Sequence, residues 1–164
     1  MFHTERLHLR KLTMEDAPFI FNLLNTPDWI KYIGDRRITS IDKAAEYIEK
    51  NYLPSYQDGL GNFLVEFQTD QTSIGCCGLY KRENLKYPDI GFAFLPEFYG
   101  KGYGYESAYL LLEYALKDLQ LKKVLGFTVA HNEPSIKLLE KLGLKKEGTF
   151  HFEEDSEELL LFST

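Results

Sequence analysis

Cysteine is nearly missing from this 164-residue chain, which has only Cys76 and Cys77. Neighbours on a strand point to opposite faces, so the two cannot readily bridge each other, and a disulfide scaffold is excluded. Long apolar runs are missing too: nothing approaches the roughly 18 apolar residues that a membrane-crossing helix needs. The opening "MFHTERLHLRKLT" alternates polar with apolar residues where an export signal would carry an apolar block, so a cytoplasmic protein with no membrane partner is expected. An excess of positive charge is also absent. Lys and Arg number 19 against 25 Asp and Glu, for a net charge of −6. That is the wrong sign for a general nucleic-acid binder. With no Cys/His cluster at ligand spacing, no metal is expected either.

What is present is globular in character. Hydrophobic residues make up 44% and aromatics 15%, and the length suits one domain over residues 1–164. "ERLHLRKL" alternates with Leu7 and Leu9 on one face and reads as a strand. Thr13 and Asp16 then suggest a capping box opening a helix. Short helical pieces follow, lying on the surface, with "SIDKAAEYIEKNYL" the clearest. "NFLVEFQ" and "IGCCGLYKR" across the turn "TDQTS" form a hairpin. "DIGFAFLP" is another strand, and "SAYLLLEYALKDLQL" is a helix with Ala108, Leu111, Leu112 and Ala115 inward. "KVLGFTVA" is strand-like, and "NEPSIKLLEKLG" is a helix from Asn132 as cap to Gly143 as stop. Two last strands flank the acidic turn in "FEEDSEELLLF", read as a solvated turn. The fold class expected is α+β, a central twisted, mostly antiparallel mixed sheet flanked by helices.

Gly100, Gly102 and Gly104 stand at alternate positions between a strand and a helix. Backbone there can turn tightly and offer unpaired N–H groups, which the helix dipole makes attractive to an anion such as phosphate. Lys101 can add a charge. The spacing is not that of a Walker A loop, because Lys101 is followed by glycine and Leu95 lies five before Gly100. The dinucleotide fingerprint G-x-G-x-x-G fails at Tyr105. A tight turn with no ligand stays open on these residues alone.

The blocks "TERLHLRKLTMEDA", "IGFAFLPEFYGKGYGYESA" and "NEPSIKLLEKLGLKKEG", in that order and spacing, resemble the GNAT N-acetyltransferases, most closely their RimJ/RimL-like branch. The resemblance implies acetyl-CoA as acyl donor and a primary amine as acceptor, either a protein or peptide N-terminus or a small molecule. A homodimer is among the assemblies open to such a chain. It also implies that the strand with Phe92, Ala93, Phe94 and Leu95 binds pantetheine through its backbone. Tyr99, Gly100, Lys101, Gly102, Tyr103 and Gly104 would hold the pyrophosphate, and Asn132 and Ser135 would contact the cofactor. The family's usual Gln or Arg is replaced by Tyr99, and a tyrosine that many relatives carry is replaced by Leu139. Ser135 therefore becomes the candidate for stabilising the thiolate, beside a purely structural hydroxyl. Glu106 reads as a first-turn carboxylate favoured by the helix dipole.

Acetyl transfer to nitrogen needs a neutral amine, N–H donors for the oxyanion and a proton for the sulfur. Strand N–H groups near Phe92 to Phe94, freed by a splay or a bulge, would serve as donors. An α-amine of pKa near 7.8 is about 15% neutral at pH 7, against about 0.04% for a lysine-like amine, so N-termini ask for only a weak base. Asp89 is the first candidate base if burial raises its pKa. Glu66, expected to be exposed, is second, and His131 third. Trp29, Tyr32 and Tyr52 are candidates to line an acceptor pocket, beside the commoner role of such aromatics as core filling. The competing reading is a noncatalytic acyl-CoA-binding or sensing module.

Overall fold

Alternating apolar residues become strands and three-to-four spacing becomes helices in the computed structural model, which describes residues 1–153 and 156–164. A short strand β1 (Phe2–His3) leads into β2 (Leu7–Lys11), where Leu7 and Leu9 are fully buried. Three helices follow: α1 (Ala17–Leu24), α2 (Pro27–Tyr32) and α3 (Ile41–Tyr47). The capping box of Thr13 and Asp16 forms a single turn just before α1. Strands β3 (Gly61–Phe67), β4 (Ser73–Tyr80) and β5 (Asp89–Phe94) continue the sheet, and α4 (Tyr103–Lys117) leaves it. The chain ends with β6 (Leu125–Val129), α5 (Glu133–Lys141), β7 (Lys145–Phe150) and β8 (Leu159–Ser163). Glu154 and Asp155 of the acidic turn between β7 and β8 lie outside the described residues.

The eight strands lie in the order β1-β2-β3-β4-β5-β6-β8-β7. Among the described residues every neighbouring pair is antiparallel except β5 and β6. This is the mixed, mostly antiparallel sheet expected from the sequence, and it buries both faces. On one face Leu7, Leu9, Phe63, Val65, Ile90 and Phe94 pack against Ala108, Leu111, Leu112 and Ala115 of α4 and Leu139 of α5. On the other, Leu64 and Cys76 meet Ile20, Leu23 and Leu24 of α1, with Ala44 of α3 and Ile48 just beyond it. Each such leucine or isoleucine removed from water contributes on the order of 1.5–3 kcal/mol.

That second core corrects two expectations. The segment from Trp29 to Tyr52 is not a surface layer, because α3 and its continuation bury Ala44, Ile48 and Tyr52 against the sheet. Tyr52 is a core residue, edge-on to Tyr47, and does not line a pocket. Glu66 is 5% exposed, so it does not point to water. It does lie opposite Phe63 and Val65, but that face is covered. Cys76 and Cys77 split between the two cores, as strand alternation requires. Burial pushes the Cys77 thiol up to about 12 and the Cys76 thiol higher still, so neither thiol is an available nucleophile.

Candidate active site

The parallel ladder between β5 and β6 consists of Asp89 opposite Leu125 and Ile90 opposite Gly126. Beyond Ile90 the two strands part and leave a wedge. Backbone polarity alternates along β5: the Pro88 carbonyl accepts from Leu125 N–H at 2.8 Å on the β6 side, whereas Leu95 N–H donates to the Ile74 carbonyl at 3.0 Å on the β4 side. Phe92 and Phe94 share the parity of Pro88, so their N–H and C=O groups face the wedge, without a strand partner among the described residues. Of the two ways expected for freeing donors, splaying is the one used. The β4–β5 register runs through Phe92, Ala93 and Phe94 without a shift. The side chains alternate as well, with Phe92 and Phe94 towards α4, and Ala93 and Leu95 towards α1 and α3.

At the open end of the wedge the chain turns through Pro96–Phe98 and Tyr99 into the glycine loop. Gly100 has φ 71° and Gly102 φ 85°, the left-handed region that glycine enters without strain. Gly102 is the N-cap of α4 and, among the described residues, no side chain caps that end. By contrast Thr26, Ser40 and Asn132 cap α2, α3 and α5 with side-chain oxygens. The first N–H groups of the fifteen-residue α4 are therefore left for another acceptor. A Cβ built on Gly100 would meet nothing within 4 Å, so the loop is open on that side. Gly104 serves another purpose: it lies in the first turn of α4, where a Cβ would come within 3.2 Å of Leu138. Lys101 is exposed, with its ammonium 5.7 Å from the Phe98 ring. Tyr99 is 46% exposed, and partial burial, followed by nearby Asp28, pushes its hydroxyl up to about 12.

At the closed end, Asp89 is 3% exposed and accepts from Arg82 Nε at 2.7 Å and Nη2 at 3.1 Å. Burial raises the Asp89 carboxyl above its usual range, and the Arg82 guanidinium opposes that rise without cancelling it. Arg82 also stacks over Phe152 at 4.7 Å, and Phe152 contacts Phe127 of β6 at 5.0 Å. On the other wall, the Asn132 side chain accepts from Ser135 N–H at 3.3 Å, which places half-buried Ser135 in the first turn of α5. His131 is 5.5 Å from the Tyr32 ring and 3.4 Å from Glu157, at the open end of the wedge. Trp29 packs on the second core, with its indole Nε1 buried and without a hydrogen-bond partner among the described residues.

Glu66 is bound into a separate cluster. Arg10 Nε donates to it at 3.0 Å while both Arg10 Nη groups hold Asp16, at 2.8 and 2.9 Å. Burial works against the Asp16 charge, but Arg10 and Thr13 N–H hold its carboxyl below the usual range. Glu66 Oε1 is held by Arg10 and Oε2 lies 3.5 Å from His8 Nδ1, and β4 separates its strand from β5 and the wedge, so Glu66 is poorly placed to take a substrate proton. Arg82 and Arg6 were not singled out by the sequence. Arg82 precedes Asp89 by seven residues across a turn-rich loop that has no periodicity to read. Arg6, described below, meets its partner Glu106 across 100 residues of chain. No group of three or more His, Cys, Asp or Glu is placed to hold a metal ion, and no helix is long and apolar enough to cross a membrane, among the described residues.

A family model described as "Acetyltransferase (GNAT) domain" matches residues 6–145. An uncharacterized N-acetyltransferase, p20, of Bacillus licheniformis is 30% identical over 148 residues, covering 89% of this chain and 83% of the relative. A GNAT-family acetyltransferase of Bacillus anthracis superposes with a TM-score of 0.82 at 24% identity, over 99% of this chain and 96% of that one. A spermidine N-acetyltransferase of Vibrio cholerae, solved with CoA and spermine, gives 0.79 at 23% identity, over 98% of this chain and 96% of that one.

Proposed function

Because the chain belongs to the GNAT acetyltransferase domain family and is an acetyltransferase enzyme that draws on acetyl-CoA, we propose that residues 1–164 form one domain that acetylates a primary amine by direct attack in a ternary complex. The observation that carries this is the wedge, which ends beside buried Asp89 and opens onto a helix left without a side-chain cap. The fit to a long anionic thioester is good at both ends. Donors of Phe92 and Phe94 face the gap, and open glycine backbone faces the diphosphate end. When bound, acetyl-CoA supplies an activated acetyl group and a thiol leaving group.

The chain's own groups divide the remaining work. The β5 backbone forms the wall along which the pantetheine lies, with Phe92 and Phe94 offering it their N–H and C=O groups; those of Ala93 and Leu95 face β4, against the expectation that all four would bind the cofactor through backbone. Tyr99, Gly100, Lys101, Gly102, Tyr103 and Gly104 form the anion seat, and Asn132 shapes the first turn of α5 opposite it. Asp89 takes the proton from the amine: Arg82 occupies one lone pair on each of its oxygens, and a carboxylate has about four. Ser135 donates a hydrogen bond to the departing sulfur. Ser135→Ala is expected to slow kcat by about tenfold with KM for acetyl-CoA little changed, because that hydrogen bond strengthens only as sulfur gains charge. Steady-state kinetics on both substrates checks this, and an unchanged kcat returns Ser135 to a structural role.

The RimJ/RimL-like placement rests on the blocks around Arg6, Gly100 and Asn132, and includes protein N-termini as well as small amines among the acceptors. A thiol-release assay with acetyl-CoA over peptides, polyamines and aminoglycosides is expected to give turnover with at least one of them. Thermal stabilisation by acetyl-CoA with no turnover across the panel would instead mark a binding module.

A further inference from the structure

The glycine loop is held from below by the N-terminal arm. Arg6 donates from Nε to Glu106 Oε2 at 2.7 Å, its Nη2 lies 2.6 Å from the same oxygen, and its backbone N–H reaches Oε1 at 3.1 Å. Thr4 donates its hydroxyl to Oε1 as well. The remaining arm of the guanidinium, Nη1, donates to the Lys101 carbonyl at 3.2 Å, and the plane stacks on Tyr103 at 4.5 Å. One side chain thus grips the loop, the first ring of α4 and the first-turn carboxylate of that helix. A Cβ on Gly102 would come within 3.3 Å of Arg6 Nη2, so the loop backbone passes directly over the guanidinium.

Glu106 poses an electrostatic problem for the proposed function. A carboxylate in the first turn suits the helix dipole, but it stands where a diphosphate is to arrive, and like charges repel at close range. Arg6 supplies the compensating charge, its Nε and Nη2 converging on one carboxylate oxygen while its backbone N–H takes the other, which fixes both position and sign. It also engages the Lys101 carbonyl, so that this acceptor oxygen is taken up by the clamp.

We infer that Arg6 is a positioning residue for acetyl-CoA, holding the glycine loop through the Lys101 carbonyl and neutralising Glu106 so that the diphosphate meets N–H donors and not a bare carboxylate. This rests on the reading of that loop as the seat of the diphosphate. The two ideas separate in one set of kinetics with two donors, acetyl-CoA and S-acetylpantetheine, the second lacking the diphosphate. In Arg6→Ala, KM for acetyl-CoA is expected to rise about tenfold or more, the equivalent of one charge-assisted contact, with kcat within about twofold. With S-acetylpantetheine the variant and the wild type should have the same kcat/KM. Adding Glu106→Gln to Arg6→Ala should recover most of the lost acetyl-CoA affinity, since the second change removes the stranded charge although it deletes a further ionic partner. Arg6→Lys, which keeps the charge but not the fork, should fall between wild type and Arg6→Ala on acetyl-CoA, and it serves if Arg6→Ala does not fold.

An Arg6 variant that loses equally on both donors, or a double variant with no recovery, overturns the role of Arg6 while leaving the loop's function standing. A wild-type enzyme that uses the two donors equally well overturns the loop reading itself, and the inference with it.

Discussion

Asp89→Asn is expected to lower kcat by about a hundredfold near pH 7, the range typical for loss of a general base, with KM for acetyl-CoA within about twofold. The amide keeps the shape of the carboxyl and can still accept from Arg82, so the closed end of the wedge should survive. What it loses is the capacity to take a proton. The deficit should shrink as pH rises, because above its own pKa the amine needs no base. In the wild type, burial holds the Asp89 carboxyl above its usual range, so the acid limb of the kcat/KM profile should lie above the ordinary aspartate pKa of about 3.9. A profile unchanged in Asp89→Asn would remove Asp89 from the role.

Arg82→Ala is expected to destabilise the fold by roughly 3 kcal/mol at pH 7, since it strands a buried carboxylate. The Arg82 side chain is 44% exposed while that of Asp89 is 4% exposed, so the cost arises on the Asp89 side of the pair. Its pH dependence has a definite sign. A carboxyl whose folded pKa lies above its unfolded value binds more protons folded than unfolded, so its contribution falls as pH rises between the two. Without Arg82 the folded pKa of Asp89 climbs further and the window widens towards neutrality. The loss relative to wild type should be small near pH 4 and grow towards pH 7. Asp16 and Glu106 have the opposite sign. Burial acts against both, but their hydrogen-bonding partners hold their carboxyls below the usual range, so their stabilisation fades as pH falls. Urea midpoints of the two proteins across this range measure the difference. A deficit independent of pH would mean that Arg82 does not keep Asp89 charged.

Features governed by local rules were legible in the sequence. Leu7 and Leu9, Phe63 and Val65, and the Ala108–Ala115 stripe follow from periodicity, and Asn132 and Gly143 bracket α5 as cap and stop. The glycine loop could be read because the left-handed backbone of Gly100 and Gly102 favours glycine by local sterics, whatever the tertiary context. Glu66 shows where such reading stops. Alternation gives the face on which a side chain lies and says nothing of what covers that face; Leu64 and Cys76 on the same side were the available hint of a second core. For Tyr52 the sequence left core filling and pocket lining both open, and the covered face decides for the core. The two arginines that organise the candidate site were out of reach because their partners are chosen by topology: Arg82 returns to Asp89 across an irregular loop, and Arg6 finds Glu106 only after the sheet has brought β2 beneath α4.

The short contact between β5 and β6 divides the molecule mechanically. Five strands stand on one side and three on the other, stitched by the pairing of Asp89 and Ile90 with Leu125 and Gly126. A guest lying in that seam with polar groups along its length would splice the two halves as a missing strand would. Holding the donor and stiffening the scaffold would then be a single event, with Asp89, the proposed base, at the root of the splice.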